Sequence, residues 1–178
     1  SAATALFPLL TGGQAGGLWT GPGGGTYGGT YDPAIDVSGT YTYTVSGAAP
    51  CPADQASVVV VENMAPQAGG DGALSVCGAS PVTPLFPALS SADPGGTWTA
   101  PGGTAFSGAY DPGVDVPGVF TYTVPGVSPC PADQATVTVN ENAVPDAGID
   151  GTLTICGSAA PTSLFPLLGG AQPGGAWT

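Results

Sequence analysis

The chain has 178 residues, with twelve Asp and Glu, no Lys, no Arg and no His, for a formal net charge of −12. Without cations it cannot neutralise a phosphate backbone, pair its own carboxylates or form Schiff bases, which excludes nucleic acid as a partner. No apolar run approaches the roughly 18 residues of a spanning helix, and so acidic a chain is repelled by anionic membrane surfaces.

Taken in chain order, the predicted elements recur at a fixed interval. Trp19, Trp98 and Trp177 are 79 residues apart, as are Cys51 and Cys130, and Cys77 and Cys156. Tyr31-Asp32-Pro33 returns as Tyr110-Asp111-Pro112, and Pro50-Cys51-Pro52-Ala53-Asp54-Gln55-Ala56 returns unchanged from Pro129. A strict period predicts a segment of a tandem array. Residues 1–65 read as a partial repeat lacking its first strand, 66–144 as a complete repeat, and 145–178 as the start of a third. Boundaries are expected near Asn63–Pro66 and Asn142–Pro145.

Within the complete repeat, the turn Gly69-Gly70-Asp71-Gly72 precedes a first strand, Ala73–Cys77. Next come the apolar run Leu85–Leu89, Gly96–Thr99, a short Ala105–Phe106 segment, Val119–Val124 and Ala135–Asn140. Short strands divided by Gly/Pro turns predict an all-β fold, with tandem Ig-like β-sandwich repeats of 79 residues. No window carries helical periodicity with caps. Val58-Val59-Val60-Val61 becomes Val137-Thr138-Val139-Asn140 one period later. Period-two geometry therefore turns Val58 and Val60 to the core, and Val59 and Val61 outward.

A repeat this small needs help beyond its core, and two cysteines per repeat without His read as disulfides formed in an oxidising compartment. Cys77 with Cys130, inside one repeat, is the expected pair. Trp98 lies between them in sequence, as in the Cys–Trp–Cys core of Ig-like sandwiches. That leaves Cys51 and Cys156 to pair with cysteines outside the segment. The alternative joins Cys51 to Cys77 and Cys130 to Cys156 across the linkers.

Leu-Phe-Pro-Leu-Leu, Gly-Gly-x-Trp-Thr, Tyr-Asp-Pro-x-x-Asp, Gly-Thr-Tyr-Thr-Tyr-Thr-Val and Pro-Cys-Pro-Ala-Asp-Gln-Ala together form a recognisable set. In that set the chain resembles the Ig-like tandem repeats of large surface proteins in Bacteroidota, of the gliding-motility-associated and adhesin-like kind. The resemblance implies export to the cell exterior by the type IX route, and a role as filament, stalk or adhesin. It carries over no catalytic residue.

Asp32/Asp36 and Asp111/Asp115 are the close carboxylate pairs, but a catalytic pair duplicated along an array, with no His or Lys as base, does not predict an enzyme. Such aspartates in Pro-containing turns fix the turns through local hydrogen bonds. Oxygen ligands without His point to Ca²⁺ if to any metal. The candidates are Asp32, Asp36, Asp111 and Asp115, with the linker sets Glu62, Asn63, Asp71 and Glu141, Asn142, Asp150. Trp98, Phe106, Tyr110, Phe120 and Tyr122 read as core, with stacking on surface glycans as the alternative. The expected role is a structural module of an extracellular filament, stalk or giant surface adhesin that self-associates into filaments. The alternatives are a glycan- or surface-binding adhesin module and a passive spacer of a secreted enzyme.

Overall fold

The computed structural model describes residues 2–178 and is almost entirely β, with nothing helical beyond three-residue 3₁₀ turns. It divides into two compact units. One takes in residues up to Met64 together with Val127–Cys130; the other comprises Ala65–Gly126 and Pro131–Thr178.

The first unit contains β1 (Thr4–Ala5), β2 (Leu18–Thr20), β3 (Thr26–Tyr27), β4 (Thr30–Tyr31), β5 (Gly39–Val45) and β6 (Asp54–Val60). They form a four-stranded sheet in the order β3-β2-β5-β6 and a small β1-β4 sheet. The second contains β7 (Gly72–Cys77), β8 (Thr83–Pro84), β9 (Thr97–Thr99), β10 (Ala105–Phe106), β11 (Ala109–Tyr110), β12 (Gly118–Val124) and β13 (Asp133–Asn142). Its larger sheet runs β10-β9-β12-β13-β7, and β8 pairs with β11. Such small and large, mostly antiparallel sheets around a shared core are compatible with a β-sandwich.

Pairing registers match between the units. β5 meets β6 from Gly39 opposite Val60 to Val45 opposite Asp54, and β12 meets β13 from Gly118 opposite Val139 to Val124 opposite Asp133. The second unit adds a strand that the described residues of the first do not have. β7 runs parallel to β13, from Gly72 opposite Val137 to Cys77 opposite Asn142.

The alternation on β13 explains its place. Ala135, Val137 and Val139 are buried, while Thr136 and Thr138 are half-exposed on the other face. Each fully buried valine contributes about 1.5–3 kcal/mol. They close a core with Leu85, Trp98, Tyr110, Phe120, Tyr122 and Val76. Tyr110 from the small sheet meets Phe120 edge-on at 5.7 Å, which joins the two sheets. Trp98 packs on Tyr122 with ring centroids 5.0 Å apart, as Trp19 does on Tyr43.

The tyrosine hydroxyl also anchors the core edge: Tyr122 Oη donates to the Asp93 carbonyl at 2.8 Å and accepts from the Gly96 amide at 2.7 Å. Gly96 must be glycine there, because a Cβ would lie 2.6 Å from the Tyr122 ring. Gly72 is held to glycine by the same logic, since a Cβ would collide with the Ala88 carbonyl and push β7 off its place.

One expected strand is not formed. Within Leu85–Leu89 the chain makes a 3₁₀ turn, Phe86–Ala88, because Pro87 has no N–H to give a ladder and its ring fixes φ. Leu85 and Leu89 still reach the core from the two ends of that turn.

Candidate functional site

The expected outward and inward valines of β6 lie as alternation requires. Val58 and Val60 pack against the core of the first unit, whereas Val59 and Val61 are 65% and 74% exposed. Yet Val58 and Val60 are only half-buried, and Ala56 is exposed, while their counterparts on β13 are sealed. Nothing pairs with the outer edge of β6 among the described residues. A groove of about 810 Å³ runs along it, lined by Leu6, Leu9, Tyr31, Val58, Val60 and Glu62 among others, with Pro129 and Cys130 at its rim.

Tyr31 at the groove is buried, and its hydroxyl is the one buried side-chain polar atom without a hydrogen-bond partner among the described residues. Burial first, and then the Glu62 carboxylate nearby, push the Tyr31 phenol up to about 12. Glu62 is the nearby acceptor that raises the phenol, but no hydrogen bond of good geometry closes between them. The equivalent pair in the second unit is made: Tyr110 Oη donates to Glu141 Oε2 at 2.7 Å. Burial and that bond likewise push Tyr110 up to about 12. Glu141 is in place because β13 continues to Asn142 alongside β7, whereas β6 ends at Val60.

Five of the six aspartates named as calcium candidates serve backbone groups. Asp36 Oδ2 accepts from the Asp32 amide and the Tyr27 hydroxyl, both at 2.7 Å, and Asp32 Oδ1 accepts from the Ala34 amide at 2.9 Å. Burial, with Asp36 as acceptor, holds Tyr27 well above the ordinary phenol range. Asp115 Oδ2 and Asp111 Oδ1 hold the matching turn through the Asp111 and Gly113 amides, at 2.8 and 2.9 Å. Asp71 Oδ1 accepts from the Thr136 amide at 2.7 Å, at the start of β7. Asn63 Nδ2 donates to the Ser128 carbonyl at 2.8 Å. Asn142 sits in β13 opposite Cys77, and Asp150 is exposed. Among the described residues, no three His, Cys, Asp or Glu side chains converge as ligands for a metal ion. No described helix is long and apolar enough to cross a membrane.

The expected Cys77–Cys130 bond is not formed; all four cysteines are free thiols. The parallel pairing explains why. Cys77 lies beside Asn142, at the far end of β13 from Asp133. Those nine steps of strand span roughly 30 Å. The three residues from Asp133 back to Cys130 recover at most about 11 Å, whereas a disulfide needs Cα atoms within about 7 Å. The core tryptophan is backed by Tyr122 instead of by a disulfide. Cys130 Sγ instead donates to the Asn63 carbonyl at 3.3 Å.

The aromatic residues weighed as a sugar platform are inside. Trp98, Tyr110, Phe120 and Tyr122 are buried, and Phe106 packs against them. They offer no exposed ring face for stacking. Sequence reasoning missed the Tyr110–Glu141 pair and the open β6 edge, although the substitution of Val59 and Val61 by Thr and Asn one period on marked that edge. No protein-family model, curated protein or solved structure matches the chain.

Proposed function

We propose that the chain is a structural segment of an extracellular filament, stalk or giant surface adhesin, built from tandem Ig-like repeats of 79 residues. One observation carries this reading: the strands of the first unit have counterparts 79 positions on, with the same pairing and the same register. A chain that repeats its geometry at a constant interval presents the same contact again at every step, and heterologous contacts of that kind build open fibres.

Two details favour the Ig-like reading. The larger sheet of the second unit puts the Trp strand β9 beside β12, and closes with β7 parallel to β13, the last strand. In the first unit Tyr41 Oη donates to the Val37 carbonyl, four residues upstream, at 2.7 Å. This resembles the tyrosine corner of Ig-like sandwiches.

The module's role is mechanical and not catalytic, since its paired aspartates are spent on turns. The resemblance to exported surface repeats supports a place outside the cell. Recombinant arrays of three or more repeats, imaged by electron microscopy at low and high salt, test the reading. The expected result is fibres that associate side by side more strongly as salt screens the acidic surface. Rods that stay separate under all conditions would leave a passive spacer.

A further inference from the structure

We propose that each boundary between repeats is bridged by a disulfide, from the cysteine that ends the first strand of one repeat to the cysteine that precedes the last strand of the next. Cys77 and, one period later, Cys156 are of the first kind; Cys51 and Cys130 are of the second. The proposal rests on the tandem-array reading and adds what crosslinks it. Every repeat then bonds once forward, through its first cysteine, and once back, through its second. No two of the four cysteines present are partners in this pattern, which accords with four free thiols.

Two independent observations bring the two kinds of cysteine to the same asparagine of the repeat. The first concerns Cys77. β7 runs parallel to β13 with Cys77 opposite Asn142, and the Gly78 amide donates to the Asn142 carbonyl at 2.9 Å. Facing residues of paired strands project from the same side of the sheet. Cys77 therefore shares a face with Asn142, opposite to the face on which Val76 enters the core. The second concerns Cys130. Asn63 is the counterpart of Asn142 one period earlier, and the loop Val127–Cys130 of the following repeat folds onto it as part of the first unit. Asn63 Nδ2 donates to the Ser128 carbonyl at 2.8 Å, and Cys130 Sγ donates to the Asn63 carbonyl at 3.3 Å.

Superposed by the 79-residue period, the two observations put the thiols together. Around one asparagine carbonyl stand the amide that follows the first cysteine and the thiol of the second, each within hydrogen-bonding reach. Two such contacts to a single oxygen set the cysteines within the span of a disulfide, whose Cα atoms lie less than about 7 Å apart. The asparagine side chain holds the loop on the face to which the first cysteine points. Once the glycine amide of the first strand takes the carbonyl, the second thiol is released from that acceptor to react. As the Sγ–Sγ bond forms, the two thiols give up two protons and two electrons. Oxidised glutathione takes both, through a mixed disulfide, and leaves as two glutathione molecules. Because each crosslink spans a linker, a cut within the linker would not part the two repeats.

Fibre imaging does not read thiol pairing, so the filament reading and this proposal fail separately. The test uses the full chain extended before Ser1 by a second copy of residues 66–79, which the period places directly ahead of it because Ser80 and Ser1 are equivalent. The extended chain is oxidised with a glutathione redox mixture, its free thiols are blocked, and its pepsin peptides are mapped without reduction. The added cysteine is told from Cys77 by Ser1-Ala2 downstream of it in place of Ser80-Pro81. It should be bonded to Cys130 in nearly every molecule. Cys130→Ser should abolish that link, and Cys51→Ser should leave it unchanged. A second measurement uses two tandem copies of residues 66–144, a repeat whose core lies wholly within it. Retaining only Cys77 of the first copy and Cys130 of the second should give an intramolecular disulfide, and retaining both in one copy should give none. An added cysteine bonded to Cys51, a Cys51–Cys77 link across the linker, a Cys130 left unlinked, or closure of the single-copy pair would overturn the proposal.

Discussion

β6 and β13 share most of their sequence and all of their pairing with the preceding strand, yet one is half-open and the other is core. Val137 and Val139 are sealed because β7 lies beside β13, and because Ala68 packs into the same core with its amide bound to Asp133 at 2.8 Å. Val58 and Val60 have the same side chains and the same register, opposite Tyr41 and Gly39 on β5 where Val137 and Val139 lie opposite Phe120 and Gly118 on β12, and they remain half-buried. The comparison teaches that this face becomes a core only when a parallel strand closes it. The polar network follows the same rule: the tyrosine–glutamate pair closes at Tyr110 and stays open at Tyr31.

Substitutions at matching positions can break the comparison. The largest effect is expected at Val76, where Val76→Asn places an amide in the buried face of β7 and should cost about 3–4 kcal/mol in urea unfolding. Ile155→Asn, one period later and exposed, should change stability by less than about 0.5 kcal/mol in dilute reduced solution. Equal losses would mean that the two segments are equivalent. Next in size, Val137→Ala should cost about 2 kcal/mol, and Val58→Ala less than about 1 kcal/mol, by the same measurement.

Smaller effects sharpen the polar half of the comparison. Tyr110→Phe should lose about 1.5 kcal/mol with its bond to a carboxylate, while Tyr31→Phe should be neutral or slightly stabilising, because it removes an unpaired buried hydroxyl. The pH dependence has a definite sign. Tyr110 and Tyr31 both ionise at about 12 in the folded chain, against a reference value of 10.0. Below pH 10 both states keep the proton and the stability contribution is complete. Between about 10 and 12 the unfolded phenols ionise first, so stability should fall as pH rises through that window. Thermal melts across it, compared with the Tyr110→Phe variant, read the contribution of that residue.

Much of this was legible in the sequence. Period-two alternation locates β7, β12 and β13, and the exact repeat turns Val58 and Val60 inward from the sequence alone. Ala109–Tyr110 and Thr83–Pro84 were not legible, because a two-residue strand shows no period and these two lie in the Pro- and Asp-rich turns. Leu85–Leu89 misled because its hydrophobicity is that of a strand, while Pro87 decides its backbone. The turn role of Asp32/Asp36 could be read from Asp-Pro chemistry alone. The disulfide could not be read, because the order Cys–Trp–Cys does not say at which end of a sheet each thiol sits. The parallel direction of β7 decides that, and Tyr110 and Glu141 likewise meet only after β7 and β13 have paired.

Amide hydrogen exchange along β6 and β13, with and without a peptide spanning residues 147–158, tests most directly the claim that a parallel strand turns this face into a core. In the free chain, the amides of residues 57–63 should exchange much faster than those of 136–142. Adding the peptide should slow residues 57–63 to the pace of their β13 counterparts and leave β13 unchanged. Equal protection of the two strands without peptide, or no change at residues 57–63 when peptide is present in excess, would contradict the account.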